Sequence, residues 1–572
     1  MVGIILANIN YRYYLPESFN GILCLYYLAA FSQNHKMGLN LSYSYRTFFS
    51  VCAAVIYMAA AAHAYGQCEN TEKIPGLEKL YSQTWGTQFN GQRFQSSTNT
   101  SINAENAANL ELQWVYGLST QQPRSYPLVT EDTIFIGDGG RGLVALDKSN
   151  GCIRWENNEL NDISTSIVSE LVDGRRVLVF SGRNSGVYAV DASNGKVLWK
   201  KYVADDPVPM FSGSPIAYQD KVFVPISSME IALSANPFYG CCTTSGGMAA
   251  LDIATGALLW YRPTIEEPPK VTGRHYLFVE EYGPSGAPVW GAPMLDTKRG
   301  LLFYGTGQNY SRPATLTSDA IFAVHIETGK IAWVRQFTAK DAFNMSCTAA
   351  ADHPNCPKPM GPDVDFGAPP LLITLKSGDD LLIAGQKSGD VYGINPDTGE
   401  AVWSTQFGRG GALGGVHWGI AANPDLGLVF IPISDVPALP SERDPAPGLF
   451  ALNAEDGSVK WAVERQKKCE ERGCWPGLSA AITAGPDIVI AGSLDSELMV
   501  YRAEDGELLW SFNSAKEFSS VNGLATNGGV FDAHGPMLAD NQLIVSSGYG
   551  SFGQKGGNAL LVFTVKEEKT HD

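Results

Sequence analysis

The chain has 572 residues, 44% of them hydrophobic and only 17% charged, so apolar side chains are ample for a large core. Its 60 glycines and 11% aromatic residues point to a turn-rich β protein. A formal charge of −17 excludes nucleic acid as a partner, because phosphate binding needs a basic surface.

In chain order, residues 1–36 are aromatic and patternless, and a second methionine, Met37, then opens "MGLNLSYSYRTFFSVCAAVIYMAAAAHAYGQ". Arg46 supplies a positive start, Phe48 to Ala61 an apolar run, and Ala62-His63-Ala64 a small-x-small cleavage site. That is the order of a secretory signal peptide. The run is shorter than the roughly 20 apolar residues of a membrane anchor. The expected division is an N-terminal extension plus signal over 1–64, with Met37 as the true start, and one folded body over 65–572. Loss of 1–64 removes Arg12, Lys36, Arg46 and Glu17 and leaves the remainder more acidic still. No later run is apolar and long enough to span a bilayer, and the signal peptide makes the periplasm the expected location.

Beyond that leader lie Cys68, Cys152, Cys241, Cys242, Cys347, Cys356, Cys469 and Cys474, an even set that in an exported protein implies disulfides. Short loops favour Cys241–Cys242, Cys347–Cys356 and Cys469–Cys474, which leaves Cys68–Cys152. The adjacent pair in "FYGCCTTSGG" could equally belong to two separate bridges. There is no CxxCH site for haem and no CxxC zinc pattern.

A repeat decides the fold. "LVALDKSNGCIRW", "VYAVDASNGKVLW", "MAALDIATGALLW", "IFAVHIETGKIAW", "VYGINPDTGEAVW", "LFALNAEDGSVKW" and "LMVYRAEDGELLW" end at Trp155, Trp199, Trp260, Trp333, Trp403, Trp461 and Trp510. In all seven, glycine stands four residues before tryptophan, and "NLELQW" adds an eighth copy at Trp114 without the glycine. Each reads as a strand, a turn whose glycine takes a positive φ, and a second strand ending in tryptophan. Variable spacing between copies suits four-stranded blades set radially, an all-β, eight-bladed β-propeller. "NALLVFTV" (558–565) should complete a blade with N-terminal residues. The repeat tryptophans are expected to pack blade on blade.

The A-x-D-x-x-T-G-x-x-x-W repeat resembles the tryptophan-docking motif of eight-bladed quinoproteins over about residues 80–565. "WGTQFNGQRFQSSTNTSINAENAANLELQW" is similar to the opening segment of pyrroloquinoline-quinone (PQQ) alcohol dehydrogenases. Assembly lipoproteins of the outer membrane share such blades without cofactor, so function must be argued from the site.

Several segments carry that resemblance further. "APVWGAPMLDTKRGLLFYGTGQNYS" resembles the family stretch in which a tryptophan, here Trp290, forms a flat floor for the quinone. Where the family places a metal-binding asparagine this chain has Gln308, followed by Asn309, and either amide oxygen could take the role. "VFVPISSMEIALS" aligns Glu230 with the metal-binding glutamate, and Ser212 and Ser227 with quinone hydrogen-bonding positions. "GPDVDFGAPP" aligns Asp363 with the catalytic base and metal ligand, and Asp365 with the extra metal ligand of the lanthanide-using branch. Lys387 in "AGQKSGDVYGI" resembles the cation that faces the quinone oxygens, and Trp418 and His417 are expected to line the pocket. Cys241–Cys242 would form a soft lid over the cofactor, although here it follows Glu230 by eleven residues instead of preceding it. That layout resembles the polyvinyl-alcohol-dehydrogenase-like branch.

The resemblance implies PQQ and Ca²⁺, or a lanthanide, oxidising a secondary or polymeric alcohol. It also implies a separate cytochrome c as electron acceptor, because the fused haem domain common in that branch is missing here. The competing expectation is a non-catalytic propeller scaffold in envelope assembly.

Overall fold

In the computed structural model, strands form where each repeat alternates small and bulky apolar residues between glycine turns. The structure describes residues 66–566 except 70–73, 161, 204–206, 351, 438–442, 468–472 and 552, and Gly66–Asp572 forms one unit. The expected signal segment lies outside the described residues.

Among the described residues the chain builds seven four-stranded antiparallel sheets, one of five strands, and three two-stranded ribbons. The eight larger sheets are the blades, each following chain order from its first strand to its last apart from the one that closes the ring. There Leu110–Gly117 pairs with Ala559–Val565, setting Trp114 opposite Val562, so the two ends of the domain share one blade as expected. The third strand of a blade, such as Leu143–Asp147 or Gly448–Asn453, is buried on both faces because a neighbouring sheet packs on each side. The fourth, such as Ala401–Gln406, is largely solvent-facing.

Eight hydrophobic clusters each fill the space between two successive blades. The tryptophans lock these interfaces. Trp155, Trp199, Trp260, Trp333, Trp403 and Trp461 each donate the indole N–H to a carbonyl of the following repeat, at Ala192, Ile253, Ile326, Pro396, Ala454 and Ala503, over 2.8–3.1 Å. Trp510 reaches Leu110 and Trp114 reaches Lys148, which closes the circle. Each turn glycine also lies under the preceding blade's indole. A Cβ on Gly457 (φ 70°) would fall 2.4 Å from Trp403, and one on Gly329 (φ 63°) would fall 2.5 Å from Trp260. The glycine therefore has a second purpose that the turn alone did not reveal.

Residues 84–95 tie the ring together at its centre. Gln92 donates to Leu372 O, and its own carbonyl accepts from Ala422 N; Phe89 O accepts from Leu295 N. Fully buried Arg93 donates to the carbonyls of Ile482, His534 and Pro536 and lies against the rings of Trp85 and Tyr126. The segment thus bonds in turn to the first strands of successive blades and holds them together.

The expected disulfides Cys68–Cys152, Cys241–Cys242 and Cys347–Cys356 are present. Cys474 is disulfide-bonded, and its expected partner Cys469 lies outside the described residues.

The docking can be measured against a matched control. Gly427 has a similar φ of 67°, but a Cβ there would meet nothing within 4 Å, whereas one on Gly457 would meet Trp403. Gly427→Ala should lose only the left-handed strain, about 1 kcal/mol. Gly457→Ala should lose a further 1–3 kcal/mol or so from displacing the indole, read from urea midpoints.

Candidate active site

Trp290 is fixed from two directions. Its indole N–H donates to Asp365 Oδ2 at 2.9 Å, and Gly367 lies so close beneath the ring that a Cβ there would come within 1.9 Å of it. The glycine two residues after Asp365 is thus what lets the "DVDFG" turn pass the indole. Trp418 meets Trp290 edge to face with centroids 5.5 Å apart, and Lys387 Nζ lies 5.8 Å from the Trp290 ring.

Lys387 is the hub of the charges. Its ammonium bridges Asp363 Oδ1 at 2.9 Å and Asp365 Oδ2 at 3.2 Å, and all three residues are buried. Asp365 also accepts the backbone N–H of Gln308 at 3.0 Å. Burial alone would drive Lys387 towards neutrality, but the two carboxylates outweigh it and hold the ammonium charged. Burial pushes the Asp363 carboxyl up to about 7 even with the ammonium beside it.

Two further acids belong to this cluster and were not singled out in the sequence. Asp341 receives the backbone N–H groups of Asp363 and Val364 and is pushed up to about 6, chiefly by burial. Asp319 is fully buried with neither carboxyl oxygen hydrogen-bonded; burial, then repulsion from Asp341, Asp365 and Asp363, raises it well above the usual range. Four acids thus surround one lysine. Asp319 and Asp341 sit in short polar stretches, "TSDA" and "AKDA", that read as ordinary turns.

Gln308 and Asn309 separate clearly. The Asn309 oxygen accepts from Thr315 N at 2.8 Å and its amide donates to Ser285 O at 2.9 Å, so its side chain is tied into the fold. The Gln308 Oε1 is buried with no hydrogen-bond donor.

Glu230 sits in its own cradle. Its two oxygens accept from Tyr239 Oη, from the backbone N–H groups of Thr243 and Thr244, and from both threonine hydroxyls. The segment 285–287 connects this cradle to Gln308, with Gly286 N donating to Thr244 O and Ala287 N to Gln308 O. Among the described residues, Glu230, Asp363 and Asp365 do not bring three oxygens within 4.8 Å of one another. The Cys241–Cys242 bridge packs with Tyr310, Ile231 and Tyr239, while Trp290 packs with the central cluster that contains Trp85 and Trp418. Ser227 is buried in the strand Lys221–Ser228, opposite Met210, and the buried Ser212 hydroxyl has no partner.

Arg124 also lies against Trp418, its guanidinium 5.2 Å from that ring and its buried Nε without an acceptor. Nothing in "TQQPRSYP" distinguishes it from a surface arginine. His417 bonds through Nδ1 to Ser479 Oγ at 2.8 Å, and Ser479 donates to Asp532 Oδ1 at 2.7 Å. Burial first, then Lys387 and Arg124, lower His417 to about 3, so the imidazole is neutral.

Asp532 offers a test by pH. Burial pushes it up to about 6 from an ordinary 3.8. The folded chain then keeps a proton that the unfolded chain has released, so the stability tied to it is full below pH 3.8 and is lost as pH rises through 6. Asp532→Asn should make the fall in unfolding free energy between those limits shallower by up to one proton, about 1.4 kcal/mol per pH unit, in urea titrations across the range.

Comparison with known proteins gives the family. Residues 82–355 match the family described as glucose/ethanol/alcohol dehydrogenase, beta-propeller domain, and residues 438–568 match the outer membrane protein assembly factor BamB family. A polyvinylalcohol dehydrogenase of Pseudomonas sp. is 34% identical, covering 84% of this chain and 76% of the relative. One from Sphingopyxis sp. is 32% identical over the same shares. The crystal structure of a quinohemoprotein alcohol dehydrogenase from Comamonas testosteroni superposes with a TM-score of 0.63 at 16% identity, covering 89% of this chain and 85% of that one, a likeness of fold. The chain therefore belongs to the PQQ-dependent quinoprotein alcohol dehydrogenases, in the polyvinyl-alcohol-dehydrogenase-like branch, and is an oxidoreductase of alcohols.

Proposed function

We propose that this protein oxidises secondary or polymeric alcohols in the periplasm with PQQ and a metal ion, and passes the electrons to a separate cytochrome c. The observation that carries the reading is the buried Asp363–Lys387–Asp365 cluster beside Trp290, with an amide oxygen, Gln308 Oε1, that lacks a donor.

The residues fit both groups. Four buried acids against one lysine leave an excess of negative charge, and a hard cation bound by Asp363, Asp365 and Gln308 Oε1, with Glu230 from its cradle, would relieve it. Ca²⁺ and a lanthanide both suit such oxygens, and the second acid, Asp365, favours the higher charge. The Trp290 face suits a flat aromatic cofactor, and the unpartnered Arg124 Nε and Ser212 hydroxyl suit its carboxylates. When bound, PQQ supplies the two-electron acceptor, and the metal the Lewis acid that polarises it.

The protein's own part is proton handling and positioning. Asp363 is placed to take a hydroxyl proton as general base, and Lys387 holds its carboxylate in place. Asp365 fixes the Trp290 indole through its N–H. Cys241–Cys242, beside the Glu230 cradle, presents an apolar surface that withdraws no hydrogen bond from the bound ligand. The acidic surface suits a basic cytochrome.

A dye-linked oxidation assay with PQQ plus Ca²⁺ or La³⁺, offered primary, secondary and polymeric alcohols, tests the reading. Turnover needing both quinone and metal is expected, and Asp363→Ala should lower kcat at least about 100-fold. No turnover together with no PQQ retained after desalting would favour the scaffold. Gln308→Leu should weaken metal binding about tenfold or more by titration, whereas Asn309→Ser should lower stability and leave metal affinity near that of the parent.

A further inference from the structure

One exposed feature has no place in that machinery. Lys270–His275 pairs with Val279–Gly283 as a hairpin outside the blades, and its turn carries Tyr276, Leu277 and Phe278. Leu277 is 95% exposed and Phe278 70%. Phe238, 66% exposed, comes from a different loop and stacks on Phe278 with centroids 6.5 Å apart and planes 6° apart, while also lying 5.6 Å from the Tyr276 ring. Tyr276 and Leu277 hold φ values of 48° and 68°, a conformation that large side chains adopt only at a cost. Scattered apolar residues on a surface need no explanation, but a stacked cluster raised on its own hairpin does.

The hairpin is anchored to the loop that holds Glu230. Tyr282 N donates to Cys241 O at 2.9 Å, Cys242 N donates to Tyr282 O at 3.3 Å, and a His275 ring nitrogen lies 2.8 Å from Pro237 O. Just past this bridge, Thr243 and Thr244 grip the Glu230 carboxylate. The apolar hairpin and the Glu230 cradle therefore share one short loop.

The charges around the tip are largely engaged by neighbours: Arg274 pairs with Glu280 and Lys270 with Glu267, and Glu281 lies 3.2 Å from a His275 ring nitrogen. A protein partner steered by charge would need unpaired charges here. What the tip itself offers, through Phe238, Tyr276, Leu277 and Phe278, is aromatic and uncharged, matching an uncharged chain of CH₂ and CHOH units whose apolar backbone can lie against rings.

We propose that Phe238, Tyr276, Leu277 and Phe278 form a platform that binds segments of a polymeric alcohol and holds them beside the active site. This rests on the alcohol-oxidising reading but supplies affinity for polymer, not chemistry. The test uses the full chain and the triple variant Phe238→Ser, Leu277→Ser, Phe278→Ser. Binding to polyvinyl alcohol is measured on cofactor-free protein, so it reads out even if no alcohol is oxidised. The triple variant should bind the polymer about tenfold more weakly, with KM for polymer raised in step and dye-linked rates on a small secondary alcohol unchanged. Leu277→Ser alone, at a position buried by nothing, should give a smaller loss in the same direction and guards against misfolding as the cause. Unchanged polymer binding would overturn the proposal. So would a variant that keeps polymer binding and dye-linked rates but reduces a cytochrome c more slowly, which would make the platform a protein dock.

Discussion

The structure depends on an indole laid over a glycine. Each repeat tryptophan places its ring where the next repeat's turn has no side chain and donates its N–H to a carbonyl of that repeat. One residue type thus satisfies a left-handed turn, makes room for a ring and leaves a carbonyl free to accept. The geometry is local, but repeated around the ring it fixes the angle between neighbours and so the number of blades. The departure at the closing blade is informative: Trp510 docks on Leu110 O and packs against Phe563 and Phe512 in place of a turn glycine, because the strand it meets comes from the other end of the domain.

With the ring held by its periphery, the loops facing the centre are free to gather groups that no single blade could stabilise. Asp319, Asp341 and the Asp363–Asp365 pair come from three different turns, and burying these acids together beside one lysine is unfavourable by any electrostatic measure. The blade interfaces, apolar and well packed, offset that penalty. Mutual repulsion and burial together hold the carboxyls of Asp319, Asp341 and Asp363 above their ordinary range. The neutral His417, hydrogen-bonded through Ser479 to Asp532, shows the opposite solution, in which a buried group gives up its charge.

How much of this was legible follows from the range of the forces involved. The blades could be read because glycine and tryptophan act on neighbours at fixed spacing. Trp290, Lys387, Asp363 and Asp365 could be read through resemblance, and the structure does bring these four together. The choice between Gln308 and Asn309 could not be read, since it turns on whether Thr315 and Ser285 occupy one amide and not the other. Glu230 was aligned with a metal ligand, but the hydrogen bonds that Thr243 and Thr244 give its carboxylate could not be read, because their approach depends on how the Cys241–Cys242 loop folds back. Asp319 and Arg124 gain meaning only from what surrounds them, and no spacing in the sequence encodes that.

The shared blade has a consequence for the order of events in folding. Seven blades are built from strands that lie close in sequence, and such contacts form early. The pairing of Leu110–Gly117 with Ala559–Val565 joins segments some 450 residues apart and must come late. Until it forms, the apolar faces that it seals, against the blades of Trp155 and Trp510, stand open to water. The slowest step of self-assembly is therefore also the one during which neighbouring chains are most apt to stick to one another.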